Sequence, residues 1–252
     1  MSTITPDASS PAGLPTTFTK YGTVGARWAH NMSTGTDAID TASVFVDYGA
    51  FGSQCTRTSI DPCVHVSCPD PEAGVPTRVD PGPVVIGTPP AQFTLTFMGP
   101  SSTMQGSMPG ALWQPGTAIP MTSQGSASVP AWSTTVTMPP LATVTAPMIT
   151  GAAMTSTRQS DFSVAWTGTP DLTISLSSNF GSEQIACTFS GGHGVLPAAD
   201  LGLLPPGVYD MEIFTANRQY FQAGDWSIRA TADTDAICAG GVLCEIGSFT
   251  LE

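Results

Sequence analysis

Short runs in which apolar and polar residues alternate recur along most of this 252-residue chain. Clear examples lie at residues 41–48, 92–97 and 132–138, and Gly or Pro residues separate most of these runs. A period of two is that of a β-strand with one buried face. Further strands are predicted at residues 63–68, 117–121, 126–129, 162–166, 172–177, 184–189, 208–216, 226–232 and 246–251, whereas residues 18–40 are ambiguous between strand ends and loop.

Prolines interrupt this pattern in two places. Residues 69–90 are so rich in proline that they are expected to form a loop, or an edge strand around 84–86. Residues 195–204 are the one helix candidate, because Pro197 suits the first helical position and the pair Pro205 and Pro206 ends the run. So short a helix is a connector and not a structural layer.

Short strands separated by turn residues are typical of β-sandwiches. We therefore predict an all-β protein with two packed β-sandwich domains and at most one short helix. The expected organisation is a disordered tether at residues 1–17, a first sandwich at 18–140 and a second at 141–252. The second domain has about seven strands, the number found in immunoglobulin-like domains.

Charge narrows the range of functions. The chain has 7 Lys and Arg against 19 Asp and Glu, a net charge of −12, which argues against nucleic-acid binding and against adhesion to anionic membranes. No apolar run reaches the roughly 18 residues of a membrane span. The first residues lack the basic and apolar regions of a signal peptide and look like a mature N-terminal tether behind a start methionine.

One long stretch has no charged residue at all. Between Pro81 and Thr157 there is no Asp, Glu, Lys, Arg or His. General acid–base catalysis and carboxylate metal sites need such side chains, so this stretch cannot supply them. It also lacks the charges that usually keep strand edges from pairing with other molecules, and proline takes their place. Such a surface suits adhesion or assembly.

Six cysteines favour an exported, disulfide-bonded protein. Cys238 and Cys244 flank a flexible turn and are expected to pair across a hairpin. Cys55 is expected to pair with Cys63 or Cys68. The remaining Cys187 lies between apolar residues of one strand face and is interpreted as a buried thiol, although the full connectivity stays open.

Several of these features together resemble a known group of proteins. Residues 195–201 and 224–226, with Arg158, Trp166 and Cys187, are similar to the immunoglobulin-like domain of uncharacterised myxobacterial secreted proteins and lipoproteins. Residues 45–48, 62–68 and 129–133, with Cys55, resemble their N-terminal part. The resemblance spans about residues 40–232 and implies an exported all-β protein without a known activity. True immunoglobulin domains have the order Cys, Trp, Cys, whereas here Trp166 precedes Cys187 and no earlier cysteine lies in that half.

Four groups of residues are candidates for chemical sites. Cys63, His65 and Cys68 include zinc ligand types, but their spacing favours disulfides. Met98, Met104, Met108 and Met121 either ligate Cu(I) or, as we prefer, fill gaps in the core. The acidic residues Asp225, Asp233, Asp235 and Glu245 either bind a cation or, as we prefer, form a solvated loop. His30, His65 and His193 lie in separate contexts, and no Gly-x-Ser-x-Gly elbow is present, so a hydrolase is the least favoured possibility.

Trp113 is the remaining candidate for a ligand contact. It lies in a loop, where an exposed aromatic ring is able to stack on a sugar, although a buried loop anchor is the preferred interpretation. Trp132, Trp166 and Trp226 lie in alternating runs and are predicted to be core residues. The resulting hypothesis is a non-enzymatic secreted or surface protein that needs no cofactor and binds a protein, itself included, through its charge-free face. A carbohydrate-binding module that uses Trp113 is the alternative.

Overall fold

The computed structural model describes residues 17–31, 39–67, 77–99, 104–110, 112–149, 153–169, 171–178, 183–238 and 244–252. Within these ranges the chain is mostly β, with eighteen strands in three sheets and one helix. The first nine strands are β1 (Thr17–Asn31), β2 (Ile39–Ile60), β3 (Cys63–Ser67), β4 (Thr77–Arg78), β5 (Val84–Thr88), β6 (Ala91–Leu95), β7 (Met104–Pro109), β8 (Ala118–Ser123) and β9 (Trp132–Thr137). The others are β10 (Thr143–Ala146), β11 (Ala153–Ser156), β12 (Phe162–Thr167), β13 (Asp171–Ser178), β14 (Glu183–Ser190), β15 (His193–Leu196), β16 (Gly207–Ala223), β17 (Trp226–Asp235) and β18 (Glu245–Leu251). The helix α1 spans Ala198–Leu201.

Eleven strands form one large sheet. Its order is β11-β18-β16-β13-β14-β3-β2-β1-β17, and β4 and β7 pair with β2 beside this path. Because β17 also pairs with β16, seven strands close into a ring: β16, β13, β14, β3, β2, β1 and β17. The pairing of β1 with β17 is parallel and joins opposite ends of the chain. Two smaller sheets have the orders β6-β5-β8-β9 and β10-β12-β15.

The buried apolar residues form two separate cores. The first core joins the four-stranded sheet, through residues such as Ile86 and Met121, to Val24, Val46 and Trp226 of the large sheet. These residues recur at every second position because alternate side chains of a strand face the same way.

The second core lies against the other part of the large sheet. It joins Trp166 and Leu196 of the three-stranded sheet to Ile174, Ile185 and Phe249. Trp132, Trp166 and Trp226 are all buried in one core or the other, which confirms the prediction for these three residues.

The two cores follow the halves of the sequence only in part. The chain passes from the first core to the second between Met138 and Ala142, close to the boundary expected at residue 140. However, Trp226 and Ile228 of β17 belong to the first core, and Cys63 belongs to the second. Long strands make this exchange possible, since β2 and β16 each pair with strands of both cores.

The first strand was ambiguous in the sequence because glycines interrupt its apolar pattern. Gly22 pairs with Tyr48 and Gly25 pairs with Phe45 across the β1–β2 ladder. A Cβ atom at Gly22 would lie 2.5 Å from the Tyr48 ring, and one at Gly25 would lie 2.2 Å from the Phe45 ring. The glycines therefore make room for aromatic rings of the neighbouring strand, and β1 is a full strand.

Two strand predictions were wrong. Residues 84–86 were expected in a loop or at an edge, but β5 is an inner strand between β6 and β8. Its prolines, Pro83 and Pro89, flank the strand and leave its ladder intact. Residues 126–129 form no strand, because the Ser126 hydroxyl accepts hydrogen bonds from the backbone N–H groups of Ser128 and Val129 and holds a turn.

The prediction of one short helix is confirmed for the described residues, but α1 is shorter than the expected 195–204, because residues 195–196 belong to β15. Pro197 is the N-cap residue, one position before the expected one. It offers no side-chain cap, and the Asp161 carboxylate instead accepts a hydrogen bond from the Ala198 N–H at 2.8 Å. With four residues, α1 is far too short to cross a membrane, and the described part of the chain holds no other helix. The expected tether lies outside the described residues except for Thr17.

Candidate functional site

Two disulfide bonds tie the second core together. Cys238 and Cys244 are bonded as expected. Cys63 of β3 is bonded to Cys187 of β14, and these residues lie directly opposite each other in the antiparallel ladder. The interpretation of Cys187 as a free buried thiol was wrong, and so was the proposed Cys55–Cys63 pair. Reasoning from neighbouring residues missed the bond because 124 residues separate the two cysteines. The other option, Cys55 with Cys68, lies outside the described side chains.

Trp113 is not placed to hold a ligand. Its side chain is only 2% exposed and its ring lies 5.6 Å from that of Phe93, centre to centre. The preferred interpretation as a buried loop anchor is therefore confirmed. A sugar cannot stack on this ring without unpacking the first core, so the aromatic-platform hypothesis for Trp113 was wrong.

The methionines proposed as soft metal ligands are also dispersed. Met104 and Met121 are buried in the first core, whereas Met98 is 82% exposed and Met108 is 36% exposed. Met104 and Met121 fill core space, as expected of a flexible apolar side chain. Cys63 has no free thiolate because it is disulfide-bonded, so it cannot take part in a Cys–His metal site.

The four-stranded sheet lies entirely within the charge-free stretch, and its outer side forms what we call the uncharged face. The face includes Thr94 of β6, Thr122 of β8 and Thr135 of β9, which are all exposed. The other residues on this side are also uncharged: Val85, Gln92, Ala118, Pro120, Ser133 and Thr137. The register places Thr94 and Thr122 on either side of Val85. This face presents hydroxyl, amide and methyl groups and no ionisable group.

One edge of this sheet is covered by the large sheet. The Asn217 side-chain amide donates to the Thr137 carbonyl, and the Gln219 amide donates to the Thr135 carbonyl, both at 2.7 Å. The Thr134 hydroxyl donates to Oε1 of the Gln219 side chain. Side chains of β16 thus satisfy two outer carbonyl groups of β9, which would otherwise be free to pair with another chain.

A charged cluster lies on the side of the large sheet that faces away from the first core. Arg27 of β1 donates to Asp235 of β17 at 2.6 Å and to Glu212 of β16 at 3.3 Å. Asp233, two residues from Asp235, accepts a hydrogen bond from the Thr231 hydroxyl. We call Arg27, Glu212, Asp233 and Asp235 the charged cluster. It joins three strands of the ring.

Burial governs the electrostatics of the charged cluster. It raises the pKa of Asp235 to about 6, against the opposing effect of Arg27. It also raises the pKa of Asp233, which Arg218, Arg229 and Arg27 oppose. Burial acts to lower the pKa of Arg27, but the charges of Asp235 and Glu212 hold it above its ordinary value. Arg27 is therefore a permanent cation beside a carboxylate whose pKa is about 6.

This arrangement predicts an unusual pH dependence. The folded protein keeps the Asp235 proton up to about pH 6, whereas the unfolded chain releases it near pH 3.9. The folded state therefore binds more protons between these values, and the free energy of unfolding contributed by Asp235 falls as the pH rises from about 4 to about 6, by up to about 3 kcal/mol. Urea unfolding of the wild type and Asp235→Asn across this range measures it. Identical pH profiles for the two proteins would contradict the prediction.

The charged cluster also corrects the interpretation of the acidic residues. Asp233 and Asp235 lie in a partly buried strand and not in a solvated loop, and Asp235 is paired with Arg27. Asp225 lies elsewhere, in an ion pair with Lys20. The Glu245 side chain lies outside the described residues. No group of three or more His, Cys, Asp or Glu suited to a metal ion occurs within the described ranges.

Neither of the two histidines with described side chains, His65 and His193, is hydrogen-bonded to a serine or cysteine among the described contacts. Nε2 of His65 lies 2.8 Å from Oε2 of Glu183, and the Ser67 hydroxyl donates to the other carboxylate oxygen at 2.7 Å. In a hydrolase relay the hydroxyl bonds to the imidazole and the imidazole to the carboxylate. Here both bond to the carboxylate. His193 is exposed at the start of β15, and the His30 side chain is not described.

Sequence reasoning missed the charged cluster. Its residues come from three strands, and Arg27 lies in the region that was ambiguous. The one available signal was composition: the chain has only seven basic residues, and three of them, Arg27, Arg218 and Arg229, act on Asp233. No protein-family model matches this sequence, and no curated protein is significantly similar to it.

Proposed function

We propose that this protein is a non-enzymatic, exported structural or adhesive component that makes its contacts through the uncharged face. The observation that carries the proposal is the face itself, an exposed sheet surface without an ionisable group in a chain of net charge −12. All 19 acidic residues lie outside the stretch 81–157. A partner that contacts this face meets neither repulsion nor ion pairs at short range.

The remaining polar groups favour a scaffold and not a catalyst. The ion pairs of Arg27 and Arg78 and the hydrogen bonds of Glu183 connect strands to each other. Such networks stabilise a fold, and in the Glu183 network the Ser67 hydroxyl and the His65 ring both bond to the carboxylate and not to each other, unlike an activated nucleophile and its base. This disposition supports the non-enzymatic part of the proposal.

The disulfides support the exported part. Bonds such as Cys63–Cys187 and Cys238–Cys244 form and persist in oxidising compartments and are rare in the cytosol. We propose a secreted or surface-anchored location on this ground. The expected likeness to myxobacterial secreted proteins and lipoproteins is consistent with such a location and stays a prediction.

We further propose that each core is that of an immunoglobulin-like β-sandwich. Each core joins the apolar side of a small sheet to that of the large sheet, as the two layers of a sandwich do. The main departure from two consecutive domains is that β17, from the second half of the chain, packs in the first core, whereas Cys63, from the first half, packs in the second core. A crystal structure showing Greek-key strand order around both cores would support this proposal, and any other order would reject it.

Binding measurements with charged variants test the function. Sensor surfaces coated with chitin, cellulose, peptidoglycan or the protein itself are the probes. We expect Thr122→Lys/Thr135→Lys to weaken binding to whichever probe the wild type binds by at least about tenfold, because the lysines lose water without gaining a partner. The wild-type interaction should persist at about 1 M salt, where exposed charges are screened.

A matched control separates this effect from net charge. Ser163→Lys/Thr167→Lys adds the same two charges at exposed positions of β12, on the three-stranded sheet. It should bind as the wild type does. Equal losses in the two variants, or wild-type protein that binds none of the probes, would reject the uncharged face as the contact surface.

A further inference from the structure

One edge of the large sheet is open within the described part of the chain. β7 pairs with residues Thr41–Val46 of β2, and no other described strand pairs with it. It is six residues long, and Gln105 and Ser107 are exposed along it. A strand with one unpaired side presents a row of backbone N–H and C=O groups that a second strand is able to satisfy.

Nothing along β7 has the usual features that block such pairing. Neither β7 nor the stretch of β2 beside it, residues 41–46, contains a charged residue. The one proline, Pro109, is the last residue of the strand. Natural edge strands are commonly protected by lysines, bulges or central prolines. By contrast, the outer edge of β9 is covered by the side chains of Asn217 and Gln219. In this fold, an edge strand that pairs with no further strand is thus covered by side chains at β9 but not at β7.

The charge distribution indicates what kind of partner fits. Two copies of a chain with net charge −12 repel each other over most of their surfaces. The repulsion is smallest where both copies present uncharged strands, and β7 with the adjoining β2 is such a place. A strongly basic partner would instead be drawn to the acidic surfaces elsewhere. The partner most compatible with β7 is therefore a second copy of this chain.

We propose that β7 pairs in antiparallel orientation with β7 of a second copy, about a two-fold axis at Gly106. This goes beyond the proposed function, because β7 belongs to the large sheet and not to the uncharged face. Opposite residues of a ladder point to the same side of the sheet. An axis at Gly106 therefore places Gln105 opposite Ser107 of the other copy, and Met104 opposite Met108. Met108, which is 36% exposed, is then covered by the second copy.

The register gives a direct test by charge pairing. Gln105→Lys/Ser107→Lys places lysine opposite lysine twice in the dimer, whereas Gln105→Lys/Ser107→Glu places lysine opposite glutamate twice. Sedimentation velocity of the full chain over a range of concentrations measures the result. We expect a dimer for the wild type, a dimer for the lysine–glutamate variant and a monomer for the lysine–lysine variant.

Net charge cannot produce this pattern. The lysine–lysine variant has a net charge of −12 + 2 = −10, so overall repulsion between its copies is weaker than in the wild type. The lysine–glutamate variant keeps the value of −12. Dissociation of the less charged variant alone would therefore reflect local contact at β7.

Three results would overturn the inference. The first is a wild type that stays monomeric at every concentration, and the second is identical behaviour of the two β7 variants. The third is dissociation by Thr155→Lys in β11, another strand at an edge of the large sheet among the described residues, but not by the lysine–lysine variant. A monomeric wild type that still binds a polysaccharide probe through the uncharged face would overturn the dimer and leave the proposed function standing.

Discussion

Replacing Cys63 and Cys187 together by alanine is expected to lower the free energy of unfolding by about 5 kcal/mol. The bond closes a loop of 124 residues, and a cross-link over so long a loop removes much of the entropy of the unfolded chain. Alanine is the suitable replacement because both positions are buried in the second core and a serine hydroxyl would lack a partner there. Chemical denaturation followed by tryptophan fluorescence measures the loss.

The second disulfide provides the control for this prediction. Cys238 and Cys244 are six residues apart, so the same reasoning predicts a loss of about 2 kcal/mol for their double alanine variant. Both variants remove two buried sulfur atoms and differ mainly in loop length. Equal losses would show that loop closure is not the source of the stability.

Replacing Arg27 by methionine is expected to lower the free energy of unfolding by about 3–5 kcal/mol at pH 8, because it leaves the Asp235 carboxylate buried without its cation. Asp235 is only 7% exposed, and Arg27 is its ion-pair partner at 2.6 Å. Methionine keeps the apolar part of the arginine side chain, so the loss reports on charge. The deficit should shrink toward pH 5, where Asp235 takes up a proton. Urea unfolding at both pH values measures it.

Two further variants sharpen the Arg27 prediction. Lys20→Met removes another cation of β1 that pairs with an acid, Asp225, but that pair is 40% and 67% exposed. Exposed pairs contribute little to stability because water screens them, so the free energy of unfolding of this variant should stay close to that of the wild type. Adding Asp235→Asn to Arg27→Met should recover much of the loss. If Arg27→Met and Lys20→Met lower the free energy of unfolding equally, burial does not determine how much an ion pair contributes to stability here.

The sequence was informative wherever a signal was local. Alternation placed most strands of the second half, and proline placement located the connector helix α1. Short-range reasoning also found the Cys238–Cys244 bond, since only a turn separates the two residues. These features depend on neighbours in the chain, and their physics is contained in a window of a few residues.

Features that depend on distant residues were not predictable in this way. Gly22 and Gly25 weakened the pattern of β1 because they accommodate aromatic rings of β2, a strand whose position the local pattern does not reveal. The Cys63–Cys187 bond and the charged cluster also join strands that are far apart in the chain. The uncharged face is the exception. Its composition was visible at once, and the fold adds which side of it is exposed.

The parallel pairing of β1 with β17 also has a consequence for the order of events in the cell. The first core needs Trp226 and Ile228 of β17, and the second needs Phe249 of β18. Neither core can therefore be completed before β17 and β18 have been synthesised, in contrast to proteins whose N-terminal domain folds first.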